Sequence, residues 1–273
     1  MKKTIISCVL FLTAVTAFSQ TPMKTAAEAK LSASDLAVKI ADRILATTTY
    51  EFKNTKTGKT YKSVKNLPLD MNVKVACKYN NWHYTNGVTH IALMELADKT
   101  GAKKYDDYVL KNMNFVFNEG NLDFFKKQYE QAMKNEGWYG VRKLSWHMIF
   151  RGKRLDDNGP MGASLIDLQM KHPNNSFLNY INETVEHLNY GEPRLADGTI
   201  ARIWPHENTI WADDAFMAIS FLARMAKMTG DMSYINDAAN QVIKYHKYLW
   251  CPEKRILYHC YHTDTDEHGV AHW

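Results

Sequence analysis

Apolar residues recur at helical spacing along most of this chain. Leu36, Ile40, Ile44 and Leu45 share one face of a helix that Ser34 or Asp35 can cap and that runs through Leu45. The pattern then breaks where Lys53, Lys56, Lys59, Lys62 and Lys65 surround Thr57-Gly58, which predicts an exposed turn or hairpin. From Thr85 onward, amphipathic stretches come in pairs joined by short turns at Gly101, Pro173-Asn174 and Gly230. The second helix of each pair starts near an aromatic residue, Tyr105, Phe177 or Tyr234.

The pairs are related to one another. Placing Thr100-Gly101 on Thr229-Gly230 superposes Trp82 on Trp211 and Tyr84 on Asp213, and placing Phe177 on Tyr234 superposes Asp156-Asp157 on Asp213-Asp214. Helical hairpins spaced irregularly, at about 55 to 75 residues, predict an α/α toroid with inner and outer helices in place of a short-period solenoid. In a toroid, equivalent helix starts face one mouth, so both acidic pairs are expected in one cleft. The Gly- and Pro-rich stretches from Gly137 to Gly159 and from Gly191 to Ile210 are expected to be loops over that end. Periodicity gives roughly nine or ten helices, short of a closed double ring. The sequence stops at Ala271-His272-Trp273 without a stop signal, which suggests a truncated chain.

Composition narrows the class. With 273 residues, 45% of them hydrophobic, the chain can bury a real core. Lys2-Lys3, the apolar run Ile5 to Ala17 and the small residues at Ala17-Phe18-Ser19 read as an export signal over residues 1–19, leaving 20–273 as one α/α domain outside the cytoplasm. The run is shorter than the ~20 residues a bilayer requires, so no membrane insertion is expected. Cys8 belongs to that leader. Cys77, Cys251 and Cys260 remain, and the turn-like Pro252-Glu253-Lys254-Arg255 leaves open whether Cys251 and Cys260 are bridged or all three are small buried hydrophobes. A net charge of +5 suits an anionic substrate, and the absence of basic stripes or zinc-finger spacing argues against nucleic acid.

Candidate chemistry sits at the helix starts and loops. Trp82 and Tyr84 offer aromatic platforms beside Asn86, and Asp156 and Asp157 follow Arg154. His206 lies in the loop leading to Trp211, Asp213 and Asp214, and His259 follows downstream. Rings beside acids and amides line sugar sites, because apolar sugar faces stack while hydroxyls hydrogen-bond. The plainer reading is that acids at helix starts cap or complement the dipole, and that Trp82 and Trp211 are core. The acids gain weight from their repeat-equivalent placement. The histidines His246, His259, His262, His268 and His272 match no tight zinc motif, so no metal is expected. No nucleophile elbow, phosphate loop or dinucleotide fingerprint is present, so no cofactor is expected.

The segments WHYTNGV (Trp82 to Val88), RLDDNGPMG (Arg154 to Gly162), EPRLADGTI (Glu192 to Ile200), IWADDAFMA (Ile210 to Ala218) and LYHCYHTD (Leu257 to Asp264) resemble, in this order, the unsaturated rhamnogalacturonyl hydrolases of glycoside hydrolase family 105. More distantly they resemble the unsaturated glucuronyl hydrolases of family 88. The resemblance implies an all-α (α/α)6 six-hairpin barrel that removes a terminal 4,5-unsaturated uronic acid from lyase-generated oligosaccharides. It implies Asp213 as general acid/base, Asp156 as second acid with Asp157 competing, Trp211 as stacking platform and His259 as substrate contact. The family continues through a tryptophan-x-arginine segment that helps bind substrate, and this sequence ends where that segment would begin. An inverting glycosidase on the same toroid, using Asp156 and Asp213 on an intact linkage, and a glycan receptor without turnover remain open alternatives.

Overall fold

The computed structural model describes residues 32–151 and 154–270. The expected leader with Cys8, and the terminal Trp273, lie outside the described residues. The chain divides into two compact units at Arg43 and Ile44. The boundary falls within helix α1 (Ala33–Thr47). Ser32, two residues earlier than expected, caps it: the Asp35 backbone N–H donates to Ser32 Oγ at 3.1 Å, and Ser32 Oγ donates to the Asp35 carboxylate at 2.7 Å. This reciprocal arrangement satisfies a donor that the first turn would otherwise leave open.

The second unit opens with an antiparallel sheet ordered β2-β1-β3, formed by β1 (Phe52–Asn54), β2 (Thr60–Tyr61) and β3 (Val73–Val75). The lysine-rich stretch is the exposed β1–β2 hairpin, its turn held by the Asn54 side chain, which accepts from the Lys56 and Thr57 N–H groups. Three helical hairpins follow: α2 (Tyr84–Thr100) with α3 (Lys104–Val116), α6 (Leu155–Lys171) with α7 (Asn175–Glu186), and α8 (Ala212–Thr229) with α9 (Met232–Leu249). Between the first two hairpins lie α4 (Glu119–Val141) and the short α5 (Met148–Arg151).

The hairpin turns form where the sequence marks them. Gly101 and Gly230 take left-handed φ of 70° and 75°, and their N–H groups close onto Ala97 and Ala226. This is the glycine-favoured end of a helix. Asn174 and Asp231 then cap α7 and α9 by accepting from Ser176 and Ser233 N–H. The inner helices pack in series, α2 on α6 and α6 on α8, and α3, α7 and α9 each back their own inner partner. That series of α/α hairpins is the all-α, six-hairpin type of architecture.

Central α6 is buried almost throughout, from Asp157 to Ile166. Two glycines set its spacing near the helix starts. A Cβ on Gly87 of α2 would lie 2.4 Å from the Pro160 backbone, and one on Gly159 of α6 would lie 2.4 Å from the Met217 carbonyl. No other residue fits there without pushing the inner helices apart.

One expected loop is largely helical. The segment from Gly137 to Gly159 contains the end of α4, with its kink at Gly137 (φ 58°, ψ −149°), all of α5 and the start of α6. Gly137 bends the helix without ending it, because a positive φ is accommodated between two helical pieces. Among the described residues, no helix is long and apolar enough to cross a membrane.

Candidate active site

Helices α6 and α8 begin alike. Arg154 and Trp211 are extended N-cap residues, at φ/ψ of −143°/141° and −120°/134°, and neither offers a side-chain cap. Each is followed by one apolar residue and then two aspartates in the first turn, where carboxylates complement the exposed N–H groups. The helical turn separates the two acids. Asp157 and Asp214, third in their helices, are buried, while Asp156 and Asp213, second, are half-buried.

The start of α8 is fixed by a small sheet. Strand β4 (Thr209–Trp211) pairs antiparallel with β5 (Cys260–His262), and the Ala212 N–H donates to the His259 carbonyl at 2.9 Å. The loop before β4 is tied to it by a bridge in which the Arg202 N–H donates to the Thr209 carbonyl at 2.7 Å. This bridge aims the Arg202 side chain at both helix starts.

Arg202 is the centre of the cluster. Its Nε and Nη2 donate to the two oxygens of Asp214 at 2.5 and 2.6 Å, and Nη2 also reaches Asp213 Oδ2 at 3.1 Å and Asp156 Oδ1 at 3.3 Å. Carboxylate oxygens of Asp156, Asp213 and Asp214 lie within 4.8 Å of one another. Burial opposes the Arg202 charge, but the three acids outweigh it and raise the group's pKa. Three carboxylates share one guanidinium, so the site favours holding a proton. Burial pushes the Asp214 carboxyl up to about 7 against the pull of Arg202, with Asp213 and Asp156 adding to the rise.

Asp213 differs from its neighbours in one respect. Oδ2 accepts from Arg202, whereas Oδ1 is shielded from solvent and has no hydrogen-bond partner among the described residues. Asp213 itself is not part of the lining of the adjoining cleft, and it meets that lining through Arg202 and Asp156; an unpartnered acid oxygen there can exchange a proton with a ligand that reaches it. The cleft has a volume of about 320 Å³, and Arg154, Asp156, Glu192, Arg202, Trp204 and Asp214 are among its walls.

The aromatic groups divide between cleft and core. The Trp211 ring carries the Arg202 guanidinium 4.7 Å from its centre, and His259 packs edge-on at 4.9 Å. At most one face of Trp211 is left for a sugar, and neither Trp211 nor His259 is among the residues lining the 320 Å³ cleft. Trp82 is a correction: it is fully buried, its indole N–H donates to the Asp157 carbonyl at 2.9 Å, and it packs against Tyr180 and Phe117, so it cannot touch substrate. Asp157 is likewise unavailable for direct contact, since it is buried and paired with Arg151. Tyr84 is exposed on α2 against His83, and His206 is exposed beside His262; neither lines the 320 Å³ cleft. Cys77, Cys251 and Cys260 are free thiols, with Cys251 and Cys260 buried, so the bridge left open by the sequence is not formed.

The sequence reading missed Arg202, and it counted Trp204 with the aromatic loop residues before Trp211 without giving it a role of its own. Trp204 is exposed on the cleft wall, beneath the Arg154 guanidinium at 4.8 Å. The available signal was an arginine and a tryptophan two residues apart in a loop that leads directly into the acidic helix start.

Comparison with known proteins places this geometry. The chain is similar to a solved structure described as a possible member of the GH105 family from Salmonella enterica, at 14% identity and a TM-score of 0.55, over 87% of this chain and 54% of that one. It is also similar to a glycoside hydrolase from family 105 of C. acetobutylicum, at 21% identity and a TM-score of 0.54, over 85% and 50% respectively. At these identities the likeness establishes the fold, and the chain spans about half the length of the structures it matches. No curated protein matches the chain. The sequence model of Glycosyl Hydrolase Family 88 matches residues 56–272, and the chain belongs to that family.

Proposed function

We propose that this protein removes a terminal 4,5-unsaturated uronic acid from oligosaccharides of the rhamnogalacturonan or pectin type by adding water across the C4=C5 bond. The observation that carries the reading is the unpartnered Oδ1 of Asp213, held beside Asp156 by a guanidinium that they share and that lines the cleft. Family membership supports the substrate class.

The C4=C5 bond of such a substrate is a vinyl ether. Asp213 donates its proton to C4, and the positive charge is shared by C5 and the ring oxygen. Water adds at C5 and returns a proton to Asp213, regenerating the acid. The C5 hemiketal opens to a ketone, which turns C1 into a hemiacetal that expels the leaving sugar. Arg202 holds Asp213 and Asp156 in place, and the Asp156 carboxylate balances the positive charge that develops at C5. No step calls for a cofactor.

The competing inverting-glycosidase reading needs its two carboxyl groups about 6.5–9.5 Å apart, to leave room for a water. An oxygen of Asp156 lies within 4.8 Å of an oxygen of Asp213, closer than an inverting pair calls for. The leader-like start of the sequence supports a site of action outside the cytoplasm. In heavy water, hydration places one deuterium at C4 of the released keto sugar. An unlabelled C4, or a double bond intact in the released uronate, overturns the mechanism, and a receptor would release nothing.

A further inference from the structure

Three arginines stand at the starts of α6 and α8, and two of them are occupied. Arg151 pairs with Asp157, and Arg202 binds Asp214 while reaching Asp156 and Asp213. The third, Arg154, is different. Its guanidinium takes part in no ion pair or hydrogen bond among the described residues, and it lies over an exposed tryptophan, 4.8 Å from the centre of the Trp204 ring. Both side chains belong to the wall of the 320 Å³ cleft, next to Asp156. Burial and the charges of Arg151 and Arg202 work against the Arg154 cation and outweigh the support of Asp157 and Asp156.

Electrostatics say what belongs opposite it. The acid cluster sets three carboxylates against one guanidinium, an arrangement that repels an anion entering the cleft. A cation in the same cleft offsets that repulsion. A guanidinium offers a planar fork matched to the two oxygens of a carboxylate, and contact with the Trp204 ring restrains that fork before a ligand arrives. We propose that Arg154, seated on Trp204, anchors the carboxylate of the sugar acid and makes the cleft select acidic over neutral glycans. The proposal rests on the reading of the substrate as a uronide, and deepens it.

The test pairs a change in the protein with a change in the ligand. Binding of an unsaturated uronyl disaccharide and of its methyl ester is measured by calorimetry on the full chain, with and without Arg154→Met. The acid is expected to bind the unaltered protein about 30-fold more tightly than the ester, the size of a charge-assisted bidentate contact. Arg154→Met should abolish that preference while leaving the ester unchanged, and Arg154→Lys should retain part of it, since charge remains but the fork is lost. Unchanged ester binding also shows that the variant is folded. Equal preference for the acid in Arg154→Met, or no preference in the unaltered protein, overturns the anchor. If the double bond is not consumed but the preference follows Arg154, the hydration mechanism falls and the anchor stands.

Discussion

The starts of α6 and α8 are built on one plan and put to different uses. Each carries a buried aspartate in third position held by an arginine, and each arginine lies over a tryptophan: Arg151 is 5.0 Å from the Trp138 ring, and Arg202 is 4.7 Å from Trp211. At α6 the arginine serves Asp157 alone. At α8 it reaches past Asp214 to Asp213 and across to Asp156 on the neighbouring helix. The difference lies in where each arginine comes from. Arg151 sits on a short helix three residues upstream of its own N-cap, whereas Arg202 is held by a bridge to β4 and can face both helices. One arginine is an anchor, and the other assembles a site.

The largest effect should come from separating the second-position acids from the third. Asp213→Asn is expected to lower turnover by ~10²-fold or more with substrate affinity little changed, the usual size of a general acid/base contribution. The ultraviolet absorbance of the conjugated uronate gives the rate. Near-normal turnover in this variant would remove Asp213 from the role and leave the two helix starts functionally alike.

Removing the arginines compares the two anchors directly. Arg202→Met strands a buried carboxylate and unbalances two more, so a loss of ~3–5 kcal/mol is expected in urea unfolding at a pH above that at which Asp214 titrates. Arg151→Met strands Asp157 only and should fall at the low end of that range. Equal losses would show that Arg202 does not carry the extra carboxylates.

A smaller effect tests how the helix starts are brought together. Gly159→Ala would set a methyl group 2.4 Å from the Met217 carbonyl, so α6 and α8 must separate, at a cost of ~1–3 kcal/mol. Because that separation also stretches the Arg202 contacts, turnover should fall with stability. Loss of stability without loss of turnover would mean that the spacing of the helices does not govern the acids.

Local signals made much of this legible in the sequence. Gly101 and Gly230 mark helix ends through their φ, and the acid pairs mark helix starts through the dipole, so the hairpins and the equivalence of Asp156 with Asp213 could be read by eye. Trp82 shows where that reading fails. Helix α8 is one residue longer than α2, so aligning the glycine ends places Trp82 on Trp211, whereas counting from the helix starts places His83 there. Trp82 is then the counterpart of Ile210, and both are fully buried. Arg202 was out of reach for another reason: its partners Asp156 and Asp214 are 46 and 12 residues away, and only the folded loop joins them.

The finest contrast between the two starts is electrostatic. Burial raises the carboxyls of both Asp157 and Asp214, but Asp214 has two further acids beside it and is pushed up to about 7. In the unfolded chain an aspartate titrates near ~3.9. Between these values the folded state binds more protons than the unfolded state, so the Asp214 contribution to stability is greatest below the unfolded value and declines as pH rises toward 7. The slope cannot exceed about 1.4 kcal/mol per pH unit for one proton. Other acids titrate over the same range, so the measurement is the difference in unfolding free energy between the unaltered protein and Asp214→Asn. That difference should fall with pH from about 4 to 7, for the single site concerned, and level off above. A difference that rises over this window would mean that Arg202 outweighs burial, that Asp214 stays ionised, and that the proton favoured by three carboxylates around one guanidinium resides on another member of the cluster.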